Sequence, residues 1–206
     1  MSRHGREQGN GGLAQEAARI FCEEQLTDYR AAKQKALVRL NLGPRTPLPD
    51  NAAVQCAVLE YQRLFGGADY RRRLHLLREK ALAAMDLLKD FSPRLAGAVV
   101  SGAITRAHAV QLHVFSEPAE AVDIFLQNKG IRYEQDDRQY RYGNGRERMI
   151  PRVRFEAGDV RVVVAIFPEG EIKRAPINPA DGQPYARLDG AAARLLLQQT
   201  ASGNAE

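Results

Sequence analysis

The stretch from Gly97 to Phe115, GAVVSGAITRAHAVQLHVF, joins two apolar runs through a polar turn, with a glycine at each end of the first run and His108, Gln111 and His113 clustered near the second. Paired strands around a glycine turn are where phosphate-handling enzymes carry carboxylates for divalent cations, because hard ions are held by charged oxygens. Here no Asp or Glu stands between Arg94 and Phe115. His108 and His113 are five residues apart, and no cysteine or carboxylate joins them at metal-ligand spacing, so they read as a loop histidine and a half-buried strand histidine. His75 falls on an Arg-rich helix face and reads as solvated. Ser101 lacks the Gly-x-Ser-x-Gly pattern of a nucleophile turn. The glycines of YGNGRE lead into no helix, which makes them a hairpin turn and not a phosphate loop.

Arginine is the second chemical signal. The segment IRYEQDDRQYRYGNGRERMIPRVRF interleaves seven arginines with Tyr133, Tyr140 and Tyr142. Arg152 and Arg154 are two apart and share a face on a strand, with Val153 and Phe155 turned to the core. Guanidinium groups beside tyrosines on a sheet can hold phosphates and stack on bases. The reading favoured here is a solvated face with cross-strand pairing to Glu134, Asp136, Asp137 and Glu147, because interspersed acids leave no stripe of one sign. Arg106, His108, His113, Arg152, Arg154 and Arg161 remain the candidates for contacting a nucleotide or phosphate.

These residues need elements to position them. The 206 residues, 44% hydrophobic and 27% charged, suffice for a sizeable core and have the balance of a globular protein. A formal charge of +5 suits anionic partners without requiring one. Residues 1–12 have a tail-like composition with no apolar signal region, no window is apolar enough for a membrane span, and Cys22 and Cys56 fall on apolar helix faces as two buried thiols, so a cytoplasmic protein is expected. Helical periodicity runs over 13–42, with Thr27 and Asp28 able to cap a second helix inside it. Asp50 is the expected N-cap of the next helix, whose stripe is Val54, Ala57, Val58, Tyr61, Leu64 and Phe65. A longer helix spans 69–90. Beyond Pro93 the pattern becomes strands at 95–101, 110–115, 131–142, 149–156 and 160–167, with a helix opened by Ser116 and closed by Gly130 and a last helix over 189–199.

On these residues the chain resembles the nucleotidyltransferase superfamily, the fold of DNA polymerase beta and the small MNT-type enzymes. That family's motif is Gly-Ser, a second glycine, a turn, then Ser-Asp-hydrophobic-Asp on the next strand. Gly97 and Ala98 fall on the Gly-Ser pair, Gly102 on the second glycine and His108 on the serine. Ala109 and Gln111 fall on the two metal-binding aspartates. The third carboxylate of the family comes from a later strand, here 160–167, whose interior offers Arg161 and is preceded by Asp159. The resemblance covers roughly residues 75–170.

Pattern and resemblance together lead to the expectation of an α+β fold, an N-terminal helical segment (13–68) packed on a mixed sheet in a nucleotidyltransferase-like core with a C-terminal helix (69–200), between tails at 1–12 and 201–206. Its chemistry implies two Mg²⁺ ions, yet Ala109 offers no ligand and Gln111 a single neutral oxygen. The expectation is therefore a protein with no catalytic residues, metal or cofactor at the motif, which binds a nucleotide, nucleic acid or protein partner. One rival is an active enzyme using Mg²⁺ with Asp123, Asp136, Asp137 or Asp159. Another is a nucleic-acid-binding module built on the arginine strands and the basic first half of the 69–90 helix.

Overall fold

The computed structural model describes residues 3–202; the ends of the two expected tails, 1–2 and 203–206, lie outside the described residues. The chain divides into two compact units. One comprises the chain up to Arg71 with Gly102–His108 and Pro179–Gly182, and the other comprises Arg72–Ser101, Ala109–Asn178 and the chain from Gln183. The division departs from a simple cut at residue 69, since two short later segments return to the first unit.

The first unit is helical: α1 (Arg3–Glu23), α2 (Tyr29–Arg39), α3 (Asn51–Phe65) and the opening of α4 (Gly67–Leu87). Helix α1 begins at Arg3 and so runs through 3–12, the stretch that composition reads as a tail. Asp28 caps α2 from an extended conformation, its carboxylate accepting the N–H groups of Arg30 (3.0 Å) and Ala31 (3.3 Å). Asp50 caps α3 by accepting from Ala53 N–H at 2.7 Å. Leu13, Ala17, Ile20 and Phe21 of α1 pack with Ala32 and Ala36 of α2 and Val54 and Val58 of α3. Lys33, buried, donates to the Pro49 carbonyl (3.0 Å) and to Asn51 Oδ1 (2.7 Å), which ties the proline-rich connection to α2.

The α3 stripe ends earlier than its periodicity predicts. Leu64 and Phe65 are 55% and 70% exposed, and the inward position is taken by Gln62, which donates to the Ile104 carbonyl at 2.9 Å and to Cys22 Sγ at 3.4 Å. The expected pair of buried thiols is also corrected: Cys22 is buried, but Cys56 is exposed. Cys56 lies two residues from both Val54 and Val58, and two residues are about 200° around a helix.

The second unit holds a mixed five-stranded sheet in the order β1-β2-β5-β4-β3, formed by β1 (Arg94–Ala96), β2 (Val110–Phe115), β3 (Glu134–Arg141), β4 (Glu147–Ala157) and β5 (Val160–Phe167). β2 and β5 run parallel and the remaining neighbours antiparallel. Helices α5 (Ala98–Ser101), α6 (Glu120–Asn128) and α7 (Gly190–Ser202) belong to this unit with most of α4. The protein is thus α+β. Among the described residues no helix is long and apolar enough to cross a membrane.

Three expected elements are corrected. The strand at 95–101 stops after three residues because Gly97 adopts φ +76°, turning the chain into the short helix α5. The strand expected from Ile131 starts at Glu134, since Ile131 N–H still bonds the Leu126 carbonyl in the cap that Gly130 (φ +66°) makes for α6. Ser116 does not open α6, which begins at Glu120; its N–H bonds the Phe167 carbonyl and its hydroxyl the Pro118 carbonyl.

Strand alternation gives the sheet two unlike faces. Leu95, Val110, Leu112, Val114, Val153, Phe155, Val162, Val164 and Ile166 point to one side and are buried. The other side is mixed. Ala96, Phe115, Tyr140, Ile150, Ala165 and Phe167 form a cluster with Tyr142 and Tyr185. Gln111, Asp136, Arg152, Arg154 and Val163 are half-buried and Arg161 is exposed.

Candidate functional site

The motif residues of the second unit meet on this second face. In register, Ala96 stands opposite Gln111, Gln111 opposite Val163, Val163 opposite Arg154 and Arg154 opposite Glu134, a single row across all five strands. Gly97 makes room for the row. A Cβ built on it would lie 2.4 Å from Gln111 Oε1, so the Gln111 amide occupies the space above a glycine that only a positive φ and a missing side chain allow. Ala109 immediately precedes β2, half-buried. Ala109 and Gln111, the positions that the resemblance aligns with two metal-binding carboxylates, carry a methyl group and a neutral amide, and Val163 stands beside Gln111 on β5.

The displaced acids are not brought to that place. Asp136 and Asp137 are on β3, separated from β2 by β4 and β5. Asp123 is on α6, with a buried Oδ1 that has no hydrogen-bond partner, and Asp159 is exposed in the turn before β5. Among the described residues no three His, Cys, Asp or Glu side chains gather as cation ligands. The residues around Gln111 do not fit the Mg²⁺ ions that the fold resemblance implies, since neither charge nor ligand number is available.

The arginines of this face lie among acids. Arg152 makes a forked pair with Asp136, Nε to Oδ1 at 3.0 Å and Nη2 to Oδ2 at 2.5 Å, and this pair holds the Asp136 carboxyl below its ordinary range. Arg161 pairs with Glu156 at 3.0 Å between exposed side chains. Arg154 is different: Glu134 Oε2 and Asp136 Oδ2 lie 3.6 and 3.7 Å from Nη2, beyond hydrogen-bond reach, and its buried Nε has no partner.

His113 is two residues further along β2 and 2% exposed. Arg187 Nε donates to its Nδ1 at 3.0 Å, so Nδ1 must be unprotonated and the neutral ring carries its hydrogen on Nε2. Burial holds the His113 pKa well below the usual imidazole range, and the cations of Arg187 and Arg138 push it the same way. Arg187 is itself lowered to about 10, chiefly by burial. Its guanidinium lies 4.6 Å from the Phe167 ring centroid and 5.0 Å from that of Phe115, and Nη1 donates to the Glu171 carbonyl at 2.8 Å. Glu171 accepts from the Tyr142 hydroxyl and from Arg148 at 3.0 Å. Tyr185 covers the imidazole edge-on at 5.0 Å. This network fastens the segment after β5 to the sheet at His113, Phe115 and Phe167.

His113 is therefore a fully buried, neutral core histidine, more enclosed than the half-buried strand residue the sequence predicts. Arg187 and Glu171 were missed because the residues that meet are distant in the chain; Arg187 and His113 are separated by 74 positions. Arg106 and His108 belong to the helical unit with Gly102, apart from the unit that holds Arg152, Arg154 and Arg161. Arg106 lies 3.4 Å from Asp69 and its N–H donates to Gln25 Oε1. His108 Nδ1 accepts the Thr105 N–H at 2.9 Å, and its ring lies against Phe21. His75, read as solvated, is half-buried. The helical unit also has an open groove of about 480 Å³ lined by Ala14, Gln15, Pro49, Ala53, Cys56 and Glu60 among others.

Compared with family models, curated proteins and solved structures, the chain matches none of them.

Proposed function

We propose that this protein is a nucleotidyltransferase-fold protein whose metal-binding carboxylates are gone and that it acts as a non-catalytic binder of a nucleotide or of a partner. The observation that carries the reading is the row Ala96, Gln111, Val163, running inward from the edge strand β1: a glycine turn leads into α5, and the two parallel strands that follow present no carboxylate side by side. Two divalent cations bridging a nucleotide's phosphates need several anionic oxygens, and one amide carbonyl does not supply their desolvation. The surface that results offers half-buried arginines and an amide in place of carboxylates, which suits binding without turnover.

Titration of the purified chain with each of the four ribonucleoside triphosphates, with Mg²⁺ and with EDTA, tests this when pyrophosphate is assayed in the same samples. The expected result is no pyrophosphate above the protein-free control. Mg²⁺-dependent release that is lost on substitution of Asp136 or Asp159 would overturn the reading.

A further inference from the structure

We infer that this face of the sheet holds a phosphate chain directly on Arg154 and without a divalent cation; this rests on the reading above and names its ligand. In the row across the sheet Val163 has Gln111 on one side and Arg154 on the other, so an amide and a guanidinium flank a small apolar floor. Arg154 is the one arginine of Arg152, Arg154 and Arg161 that lacks a hydrogen-bonded carboxylate. Its nearest acids stand at 3.6 and 3.7 Å, and its Nε is a buried donor without an acceptor. The side chain is 34% exposed, so what a ligand oxygen reaches is the outer part of the guanidinium and not the buried Nε. A guanidinium fork matches two oxygens of a phosphate. The Gln111 amide lies over Gly97, on the β1 side of β2, so the contact to the phosphate falls to Arg154.

The acids around the site set its sign. Asp136 is neutralised by its forked pair with Arg152, whereas Glu134, with a side chain 80% exposed, is held by nothing closer than 3.6 Å. An incoming phosphate displaces Glu134 and takes its place beside Arg154. Phosphate oxygens then meet the Arg154 guanidinium with no metal between them.

The test is calorimetric titration of the full chain with ATP, inorganic triphosphate and adenosine, each in EDTA and in Mg²⁺. ATP and triphosphate are expected to bind in EDTA and adenosine is not; binding of ATP alone would place recognition on the base and overturn the inference. Arg154→Gln should weaken ATP and triphosphate binding about tenfold or more, the scale of one charge-assisted hydrogen-bonded contact. Arg154→Lys keeps the charge and loses the fork, so it decides the matter if the glutamine variant does not fold. Glu134→Gln should tighten binding, a change that a purely structural ion pair would not produce, while Arg45→Gln in the helical unit should change nothing. Absence of binding in EDTA, or equal affinity in wild type and both Arg154 variants, overturns the inference and leaves the non-catalytic reading standing; pyrophosphate release sinks that reading separately.

Discussion

Acidification should loosen the sheet unit through a single residue, His113. The imidazole is neutral in the fold because it is buried and because Arg187 Nε–H occupies Nδ1. A group whose folded pKa is depressed stabilises the fold fully above its unfolded pKa and loses that contribution as pH falls toward the folded value. For histidine the loss begins near pH 6.5, where the unfolded chain starts to bind a proton that the folded chain refuses. The limiting slope is about 1.4 kcal/mol per pH unit, and between pH 7 and pH 5 the cost comes to about 2 kcal/mol if the folded ring stays neutral throughout. His113→Asn retains an acceptor for Arg187 but cannot titrate. Urea unfolding at pH 7, 6 and 5 can be followed by near-UV circular dichroism of the tyrosines, since the chain has no tryptophan. The wild type should lose about 2 kcal/mol more than His113→Asn over that range. Parallel curves for the two proteins would refute the argument, because the remaining histidines and all carboxylates are common to both.

Two further outcomes follow from local geometry. Gly97→Ala should destabilise by about 1–3 kcal/mol in chemical denaturation, combining the cost of positive φ with displacement of Gln111; in a Gln111→Ala background the penalty should shrink toward the backbone term, and an unchanged penalty would remove the contact from the explanation. Asp28→Ala should cost about 1 kcal/mol through loss of the α2 cap, with Asp28→Ser recovering most of it.

The sequence reading succeeds where the deciding residues are neighbours. The limits of β2 and β5 at Val110–Phe115 and Val160–Phe167 follow from short apolar runs bounded by turn residues, and the caps of α2 and α3 follow from Asp28 and Asp50. It fails where backbone strain or packing decides. Val99 and Val100 favour a strand by type, yet positive φ at Gly97 ends β1 before them. Leu64 and Phe65 continue the helical stripe but find no core to enter, while Gln62 is buried because the Ile104 carbonyl needs a donor.

The same division runs through the site. Sequence by itself determined that no carboxylate stands at Ala109 or Gln111, and that Arg152 and Arg154 share a face, because both statements depend only on residue type and a period of two. Tertiary structure decided which arginine is left without a bonded acid, that Gln111 lies over Gly97, and that His113 is sealed by Arg187 from far along the chain. Strand register and long-range burial choose those partners, and neither is written in any short window of residues.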